Sequence, residues 1–222
     1  MADYGPRDEI EARERAAFQL SLRQRGIRDR QVLRAMETVP RTMFVQPALS
    51  EHAYADRALP ISCGQTISQP FIVAYMTQQL ELDHTHKVLE IGMGSGYQTA
   101  VLARIAKRVY TIDRYRTLVA AAEARIQALG IANVTAMPGD GAVGWKEQAP
   151  FDRIMVTAAA DTIPKALVDQ LAPGGIMIIP VGAAQGEQKL VRVEKDAKGK
   201  VTEKPLIAVR FVPLVAGRAV SL

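Results

Sequence analysis

A glycine-rich turn between an apolar strand and a helix constrains the fold of this chain most. The run Val88–Ile91 has the apolar, β-branched character of a buried strand, and three glycines follow it before a helical segment starts at Tyr97. These glycines stand at alternate positions: Gly92, Gly94 and Gly96. Glycine lets the backbone turn sharply and approach a ligand closely, and a helix start offers free N–H groups. The run therefore predicts an α/β fold with a ligand at the end of this strand.

Strand-like and helical segments alternate through the middle of the chain. Short runs rich in β-branched residues have strand character, and longer runs with apolar residues three or four apart have helical character. The strand-like runs are 88–91, 109–112, 134–137, 154–157 and 176–179, and the helical runs are 97–106, 118–129 and 164–171. Because such alternation forms parallel sheets, we expect a mostly parallel sheet with helices on both faces.

The N-terminal part is predicted to be helical. Asp8 is expected to cap a first helix that stops at Gly26, and Asp29 to cap a second that ends at Pro40.

Two further segments flank the alternating middle part. Residues 59–70 lie between prolines and predict a loop or short hairpin, with a helix over 71–82 after it. Near the C-terminus, apolar runs at 190–193 and 207–212 flank a polar turn and predict a terminal pair of antiparallel strands.

Two acidic residues end the strands beside the glycine turn. Asp113 closes the second strand, 21 residues after Gly92, and an acid there can accept hydrogen bonds from ribose hydroxyls. Asp140 follows Gly139 at the end of the third strand. A dinucleotide site would require glycine or alanine where Tyr97 stands. A nucleotide-like cofactor other than NAD is therefore favoured, and an NAD oxidoreductase remains a distant alternative.

The spacing of one acid and three glycines resembles the cofactor loop of Rossmann-like S-adenosylmethionine methyltransferases. The resemblance implies that the acid and the loop hold the amino-acid end of S-adenosylmethionine, through Glu90, Gly92, Gly94 and Gly96. It also implies that Asp113 binds the ribose, while Asp140, with Gly139, contacts the adenine.

Motifs outside this loop resemble the protein-L-isoaspartate O-methyltransferase family. The resemblance runs from about residue 20 to about residue 215, and its most specific part is Gly64–Pro70. The other matching segments are 39–41, 44–45, 59–63, 88–97, 149–152, 156–160, 173–175, 179–182 and 209–214. One departure is Asp113, which stands where many family members have glutamate.

This family transfers a methyl group from S-adenosylmethionine to the α-carboxylate of L-isoaspartyl residues in damaged proteins. A carboxylate has a pKa near ~4, so the nucleophile is already ionised and needs orientation more than a general base. Ser68 is expected to be the catalytic residue that orients it, and Thr66, two positions away in an extended segment, faces the same side. Gln65 and Ile67 are expected to shape the substrate pocket. Taken without the resemblance, the segment fits better a hairpin whose hydroxyls only bond the backbone.

With no internal repeat, low-complexity segment or linker visible, we expect a single methyltransferase domain over residues 1–222, in four parts. These are an N-terminal helical extension over 1–60, a substrate loop and helix over 61–86, a cofactor-binding core over 87–182, and antiparallel strands over 183–222. Two alternatives stay open: a methyltransferase of this fold with another substrate, and a paralogue that no longer catalyses.

Composition and charge argue against several other classes. The net charge of +5 comes mainly from residues 187–222, which carry 8 basic and 4 acidic residues. Phe211 is the one aromatic residue among them, so the basic residues lack the aromatic partners of a nucleic-acid site, and we expect none. We expect this mildly basic edge to attract an acidic peptide weakly. One cysteine excludes an internal disulfide, and the histidines at 84 and 86 lack the pattern of a metal site. With no signal peptide or membrane span visible, we expect a cytoplasmic monomer.

Overall fold

The computed structural model describes residues 6–184 and 186–219, with side chains from residue 13 onwards. Six helices and nine strands are assigned within these residues. The helices are α1 (Pro6–Gln24), α2 (Arg30–Thr38), α3 (Pro70–Gln79), α4 (Tyr97–Ala103), α5 (Arg116–Ala128) and α6 (Lys165–Gln170). The strands are β1 (Leu59–Pro60), β2 (Thr66–Ile67), β3 (Lys87–Ile91), β4 (Arg108–Asp113), β5 (Val134–Pro138), β6 (Phe151–Val156), β7 (Leu171–Val181), β8 (Gln188–Lys195) and β9 (Val201–Val209).

A seven-stranded sheet forms the centre of the molecule, in the order β5-β4-β3-β6-β7-β8-β9. The first five strands in this order are parallel, and β8 and β9 continue the sheet in antiparallel pairing. Ile91 at the end of β3 lies opposite Ile112 of β4 and Val156 of β6. The mostly parallel sheet and the antiparallel C-terminal strands are thus confirmed, and the loops after β3, β4 and β6 meet at one edge.

Two hydrophobic clusters cover the two faces of this sheet. Residues of β3 alternate between them: Val88 packs with α1 to α5 on one face, and Leu89 and Ile91 pack with the α6 side on the other. Leu167 of α6 is fully buried in the second cluster. Helices therefore lie on both faces, as expected. No helix among the described residues has the length and apolar character needed to cross a bilayer.

Local chemistry explains two helix ends, and the structure corrects two expectations. Asp29 caps α2, since its carboxylate accepts hydrogen bonds from the N–H groups of Gln31 and Val32. Helix α1 begins at Pro6, so Asp8 lies in its first turn rather than at its cap. Helix α3 ends at residue 79 rather than 82 because Glu81 adopts a left-handed backbone conformation, with φ of 51°.

The last strand also differs from its expected position. β9 ends at Val209, although the apolar pattern continues to residue 212. Beyond it, the N–H of Phe211 donates to the side chain of Gln188 instead of to a backbone partner. The chain then turns towards the loop after β6, where Ala159 pairs with Pro213.

Candidate active site

A cleft of about 800 Å³, its open mouth included, lies where the loops after β3, β4 and β6 meet. The glycine turn, the β1–β2 hairpin and the segment after β9 form its walls. Its lining residues are Gln65, Thr66, Ile67, Ser68, Val73, Ile91, Gly92, Met93, Gly94, Ser95, Tyr97, Gln98, Ile112, Asp113, Arg114, Tyr115, Gly141, Thr157, Ala158 and 212–215.

The glycine turn has a positive φ at all three of its glycines, 94°, 53° and 89° in chain order. A Cβ atom at Gly92 would lie 2.3 Å from the Thr157 hydroxyl oxygen, and one at Gly96 would lie 2.9 Å from the Ala122 Cβ. These two glycines therefore allow the turn to pack on its neighbours. Gly94 lines the cleft, and a Cβ there would meet only Ile61, at 3.7 Å. Its missing side chain leaves room for a ligand.

Glu90 lies behind the glycine turn and does not line the cleft. Its side chain is fully buried, and one carboxyl oxygen accepts hydrogen bonds from the hydroxyls of Thr99 (2.5 Å) and Thr111 (2.6 Å). Burial raises the pKa of Glu90 to about 8, although both threonine hydrogen bonds oppose the shift. Glu90 thus joins β3, β4 and α4 beneath the turn, and the ligand contact that the resemblance implies stays a prediction.

Asp113 closes β4 and faces the cleft. One carboxylate oxygen accepts a hydrogen bond from the N–H of Gly94 (2.8 Å), and the other accepts one from the N–H of Tyr115 (3.0 Å). Burial raises the pKa of Asp113, while these backbone hydrogen bonds lower it. A carboxylate has about four acceptor positions. Asp113 can thus hold the glycine turn in place and still accept hydrogen bonds from two ribose hydroxyls.

Asp140 stands beside the cleft rather than in its lining. One of its oxygens accepts a hydrogen bond from the N–H of Ala142 (2.9 Å), and the other accepts one from Gly217 (2.7 Å). Gly139 is also outside the lining, and the next residue, Gly141, lies within it. A Cβ at Gly141 would be 2.3 Å from the Ile91 Cγ2, so only glycine fits there. The contact with adenine expected of Asp140 stays a prediction.

The β1–β2 hairpin places the four predicted substrate residues, 65 to 68, in the cleft wall. Ile67 is buried and anchors the hairpin, while Thr66 is exposed and Ser68 is half-buried. Within the described residues, neither hydroxyl has an intrachain hydrogen-bond partner. This observation weakens the alternative in which these hydroxyls serve only to satisfy the backbone.

A second groove, of about 950 Å³, meets the cleft at this hairpin. The two share Thr66, Ser68, Thr157 and Val212. The groove continues to the surface between α3 and the end of β9. Its other lining residues are Ala58, Gln69, Ile72, Glu187, Ala208, Val209, Arg210 and Phe211. The two hydroxyls therefore stand at the junction between the cleft and the groove.

The segment after β9 forms a cleft wall that was not predicted. Ala159 accepts a hydrogen bond from the N–H of Leu214 (2.7 Å), and its own N–H donates to the carbonyl of Val212 (2.8 Å). Further along, the N–H of Ala219 donates to the carbonyl of Arg114 (3.1 Å). We name residues 212–219 the C-terminal wall. The match of residues 209–214 to family motifs was the one sequence signal for it.

Thr157 is another cleft residue that was given no role from the sequence. Its hydroxyl donates to the carbonyl of Gly92 (2.7 Å) and lies 2.9 Å from that of Ile91. It therefore ties the loop after β6 to the glycine turn. Ser95, Gln98, Arg114 and Tyr115 also line the cleft without having been predicted.

Comparisons with known proteins agree with this geometry. A family model for protein-L-isoaspartate (D-aspartate) O-methyltransferase matches residues 13–219. A protein-L-isoaspartate O-methyltransferase of Xanthobacter autotrophicus is 59% identical over 214 residues, 96% of this chain and 97% of its own length. Another from Parvibaculum lavamentivorans is 58% identical over 219 residues, 98% of this chain and 96% of its own.

The fold was also compared with solved structures. A Plasmodium falciparum protein assigned to the same family, crystallised with S-adenosyl-L-homocysteine, has a TM-score of 0.78 and 29% identity, and the match covers 90% of this chain and 97% of that one. The sheet order, the glycine turn and the near-complete match to the family model lead to one conclusion. This chain belongs to the protein-L-isoaspartate (D-aspartate) O-methyltransferase family.

Proposed function

We propose that this chain transfers a methyl group from S-adenosyl-L-methionine to the α-carboxylate of L-isoaspartyl residues in damaged proteins. The products are the methyl ester and S-adenosyl-L-homocysteine. One observation carries this function best: the unpartnered hydroxyls of Thr66 and Ser68 stand where the cleft opens into the surface groove. A cofactor in the cleft and a peptide in the groove would meet at these two side chains.

The residues of the cleft fit S-adenosylmethionine. When bound, its sulfonium supplies an electrophilic methyl group. Gly94 leaves the space that a close backbone approach needs, and Asp113 offers free acceptor positions for ribose hydroxyls. We propose that Gly92, Gly94 and Gly96 shape the binding loop and that Asp113 binds the ribose. We also propose that Glu90 supports the amino-acid end of the cofactor and that Asp140, with Gly139, contacts the adenine.

The chain's own part in the reaction is to orient a carboxylate and exclude water from it. The substrate carboxylate is ionised at neutral pH, so no residue has to remove a proton. A hydroxyl can donate one hydrogen bond to a carboxylate oxygen without neutralising its charge as an arginine or lysine would. We propose that Ser68 holds the nucleophilic oxygen in line, that Thr66 assists, and that Gln65 and Ile67 shape the pocket.

The decisive experiment uses two peptides that differ only in aspartate against isoaspartate. With labelled S-adenosylmethionine, we expect base-labile methyl ester on the isoaspartyl peptide alone. Equal transfer to both peptides, or transfer to neither, would refute the function. Transfer to another substrate class instead would favour the alternative of a different methyltransferase on this fold.

A substitution tests the role of Ser68. We expect Ser68→Ala to lower kcat about 100-fold, because one oriented hydrogen bond to the reacting group is lost. Affinity for S-adenosylhomocysteine, measured by calorimetry, should stay unchanged. Ser62→Ala is the matched control, since Ser62 lies in the same hairpin turn but outside the cleft lining. If Ser68→Ala retains full turnover, Ser68 does not orient the substrate.

We further propose that the protein acts in the cytoplasm as a monomer whose residues 1–222 fold as one domain. The described cleft and groove draw their lining from the hairpin, the glycine turn and the segment after β9 of this chain. Light scattering during size-exclusion chromatography tests the monomer. A stable dimer under assay conditions would contradict it.

A further inference from the structure

A buried arginine lies directly behind the substrate hairpin. Arg41 follows Pro40 in a short 3₁₀ turn, and its side chain is 0% exposed. Its Nε donates to the carbonyl of Ala53 (2.8 Å), and its Nη2 donates to the carbonyl of Ser68 (2.7 Å). Arg41 belongs to neither the cleft lining nor the groove lining.

The buried positive charge of Arg41 has no acidic partner among the described residues. Within residues 13–184 and 186–219 it forms no ion pair with Asp or Glu, and its Nη1 has no hydrogen-bond partner. Burial lowers the pKa of Arg41, an effect that its proximity to Tyr97 opposes. Burying an unpaired charge costs free energy, and an apolar residue often serves a purely structural position as well or better. A role in packing alone therefore accounts poorly for an arginine here.

The guanidinium of Arg41 contacts both the substrate hairpin and the start of α4. Its central carbon lies 4.7 Å from the ring centroid of Tyr97, within the range of a cation–π contact. Tyr97 is the first residue of α4, immediately after the glycine turn, and it lines the cleft. Arg41 thus contacts the residue proposed to orient the substrate and the helix start that borders the cofactor cleft.

Arginine suits this position because its planar fork can serve two carbonyls at once. A lysine has a compact charge on a flexible stem and cannot reproduce this fixed geometry. The hairpin has a further anchor at Asp56, which accepts hydrogen bonds from the side chain of Gln69 (2.9 Å) and the N–H of Phe71 (3.0 Å). Asp56 holds the residues after Ser68, whereas Arg41 holds the Ser68 main chain itself.

We propose that Arg41 is a positioning residue for methyl transfer. It fixes the main chain at Ser68 against the start of α4, and so sets where the Ser68 hydroxyl stands relative to the bound methyl donor. This inference rests on the proposed function. Arg41 itself touches neither substrate nor cofactor, so its loss should impair the reacting geometry more than either binding step.

The test compares Arg41→Met and Arg41→Lys with Arg153→Met. Arg153 is the matched control: it is 9% exposed, donates to the carbonyls of Leu80 and Asp152, and lies outside the cleft and groove. All variants are assayed below their melting temperatures. For Arg41→Met we expect kcat to fall at least about 30-fold, with peptide KM and S-adenosylhomocysteine Kd within about threefold of wild type. Arg41→Lys should lose about 10-fold in kcat, and Arg153→Met should keep its kcat.

A second measurement is independent of activity. Hydrogen–deuterium exchange of the segment 59–70 should be at least about 10-fold faster in Arg41→Met than in wild type or Arg153→Met, because the hairpin has lost the side chain that anchors its Ser68 main chain and opens more often. Unchanged exchange of this segment in Arg41→Met would overturn the proposal. This readout does not depend on which substrate the wild-type enzyme methylates. Unchanged kcat in Arg41→Met, or an equal loss in Arg153→Met, would overturn it while leaving the proposed function intact.

Discussion

Glu90 is a motif residue that lies behind the glycine turn and outside the cleft lining. Its carboxyl group is fully buried, and two threonine hydroxyls donate to one of its oxygens. Because burial raises the pKa of Glu90 to about 8, the folded protein keeps this group neutral at neutral pH. An unfolded chain has its glutamates ionised there, with pKa values near ~4.3.

This difference in protonation predicts a pH-dependent stability. The folded state binds one more proton than the unfolded state between the two pKa values, so the free energy of unfolding should fall by about 1.4 kcal/mol for each pH unit of increase. Glu90→Gln mimics the neutral acid and should remove this contribution. Urea unfolding of both proteins at about pH 5.5 and about pH 7.5 measures it. Parallel pH dependence of the two proteins would contradict the assignment.

At the scale of elements, the glycine turn needs glycine for two reasons: close packing on neighbouring elements and open space beside the cleft. Gly92 and Gly96 are needed for packing, because a Cβ at either position would collide with a neighbouring side chain. Gly94 has free space around it and lines the cleft. The middle glycine is therefore the one whose substitution should affect the ligand more than the fold.

Gly94→Ala tests this division, with Gly26→Ala as its control. Both glycines have positive φ (53° and 93°) and open space around the missing Cβ, except for Ile61 at 3.7 Å from Gly94. Each substitution should cost about 1 kcal/mol of stability from backbone strain. Only Gly94→Ala should weaken S-adenosylhomocysteine binding, by about 10-fold, since its methyl group stands where the loop meets the ligand. Equal affinities in the two variants would show that the turn does not approach the cofactor closely.

The elements that could be predicted are those whose signal is local. Consecutive residues encode the strand that ends at Ile91, the glycine turn and the helix that begins at Tyr97. The structure has each of these at the expected place. The β1–β2 hairpin followed from two prolines and a family motif. The early end of β9 could not be predicted, because it depends on the side chain of Gln188, which captures the N–H of Phe211.

The parts of the site that the sequence did not reveal depend on contacts between distant residues. Gly141 is required by its closeness to Ile91, and Thr157 acts through carbonyls in the glycine turn. Arg41 was visible in a matching motif, yet its bond to Ser68 joins residues 27 positions apart. Periodicity and spacing carry no information about such pairs.

For the molecule as a whole, the structure places only part of the positive charge of the C-terminal segment far from the groove. Lys198 and Lys200 lie in the turn between β8 and β9. The groove lies at the other end of β9, roughly 25 Å along the strand. That separation exceeds the screening length of about 10 Å at 0.1 M salt. Arg210 is the one basic residue of the described groove lining, and it shares that groove with Glu187.

The expected attraction of acidic peptides should therefore be small and should depend on Arg210. We expect the KM of an acidic isoaspartyl peptide to rise about twofold between about 0.05 and 0.3 M salt. Arg210→Gln should flatten this dependence, while a Lys198→Gln/Lys200→Gln double variant should keep it. Steady-state assays at several salt concentrations measure the effect. A flat response in the double variant would show that the distant turn, and not the groove, attracts the substrate.

The C-terminal wall affects when the cofactor cleft can form during synthesis on the ribosome. The hairpin, the glycine turn and Asp113 leave the ribosome early, but the cleft they share is closed by residues 212–215. A nascent chain can thus form its sheet and most of its helices while still lacking one side of the cofactor cleft. Repair capacity would arise only once Leu214 has emerged and paired with Ala159. Protease trimming of this wall would equally return a folded chain to that immature state.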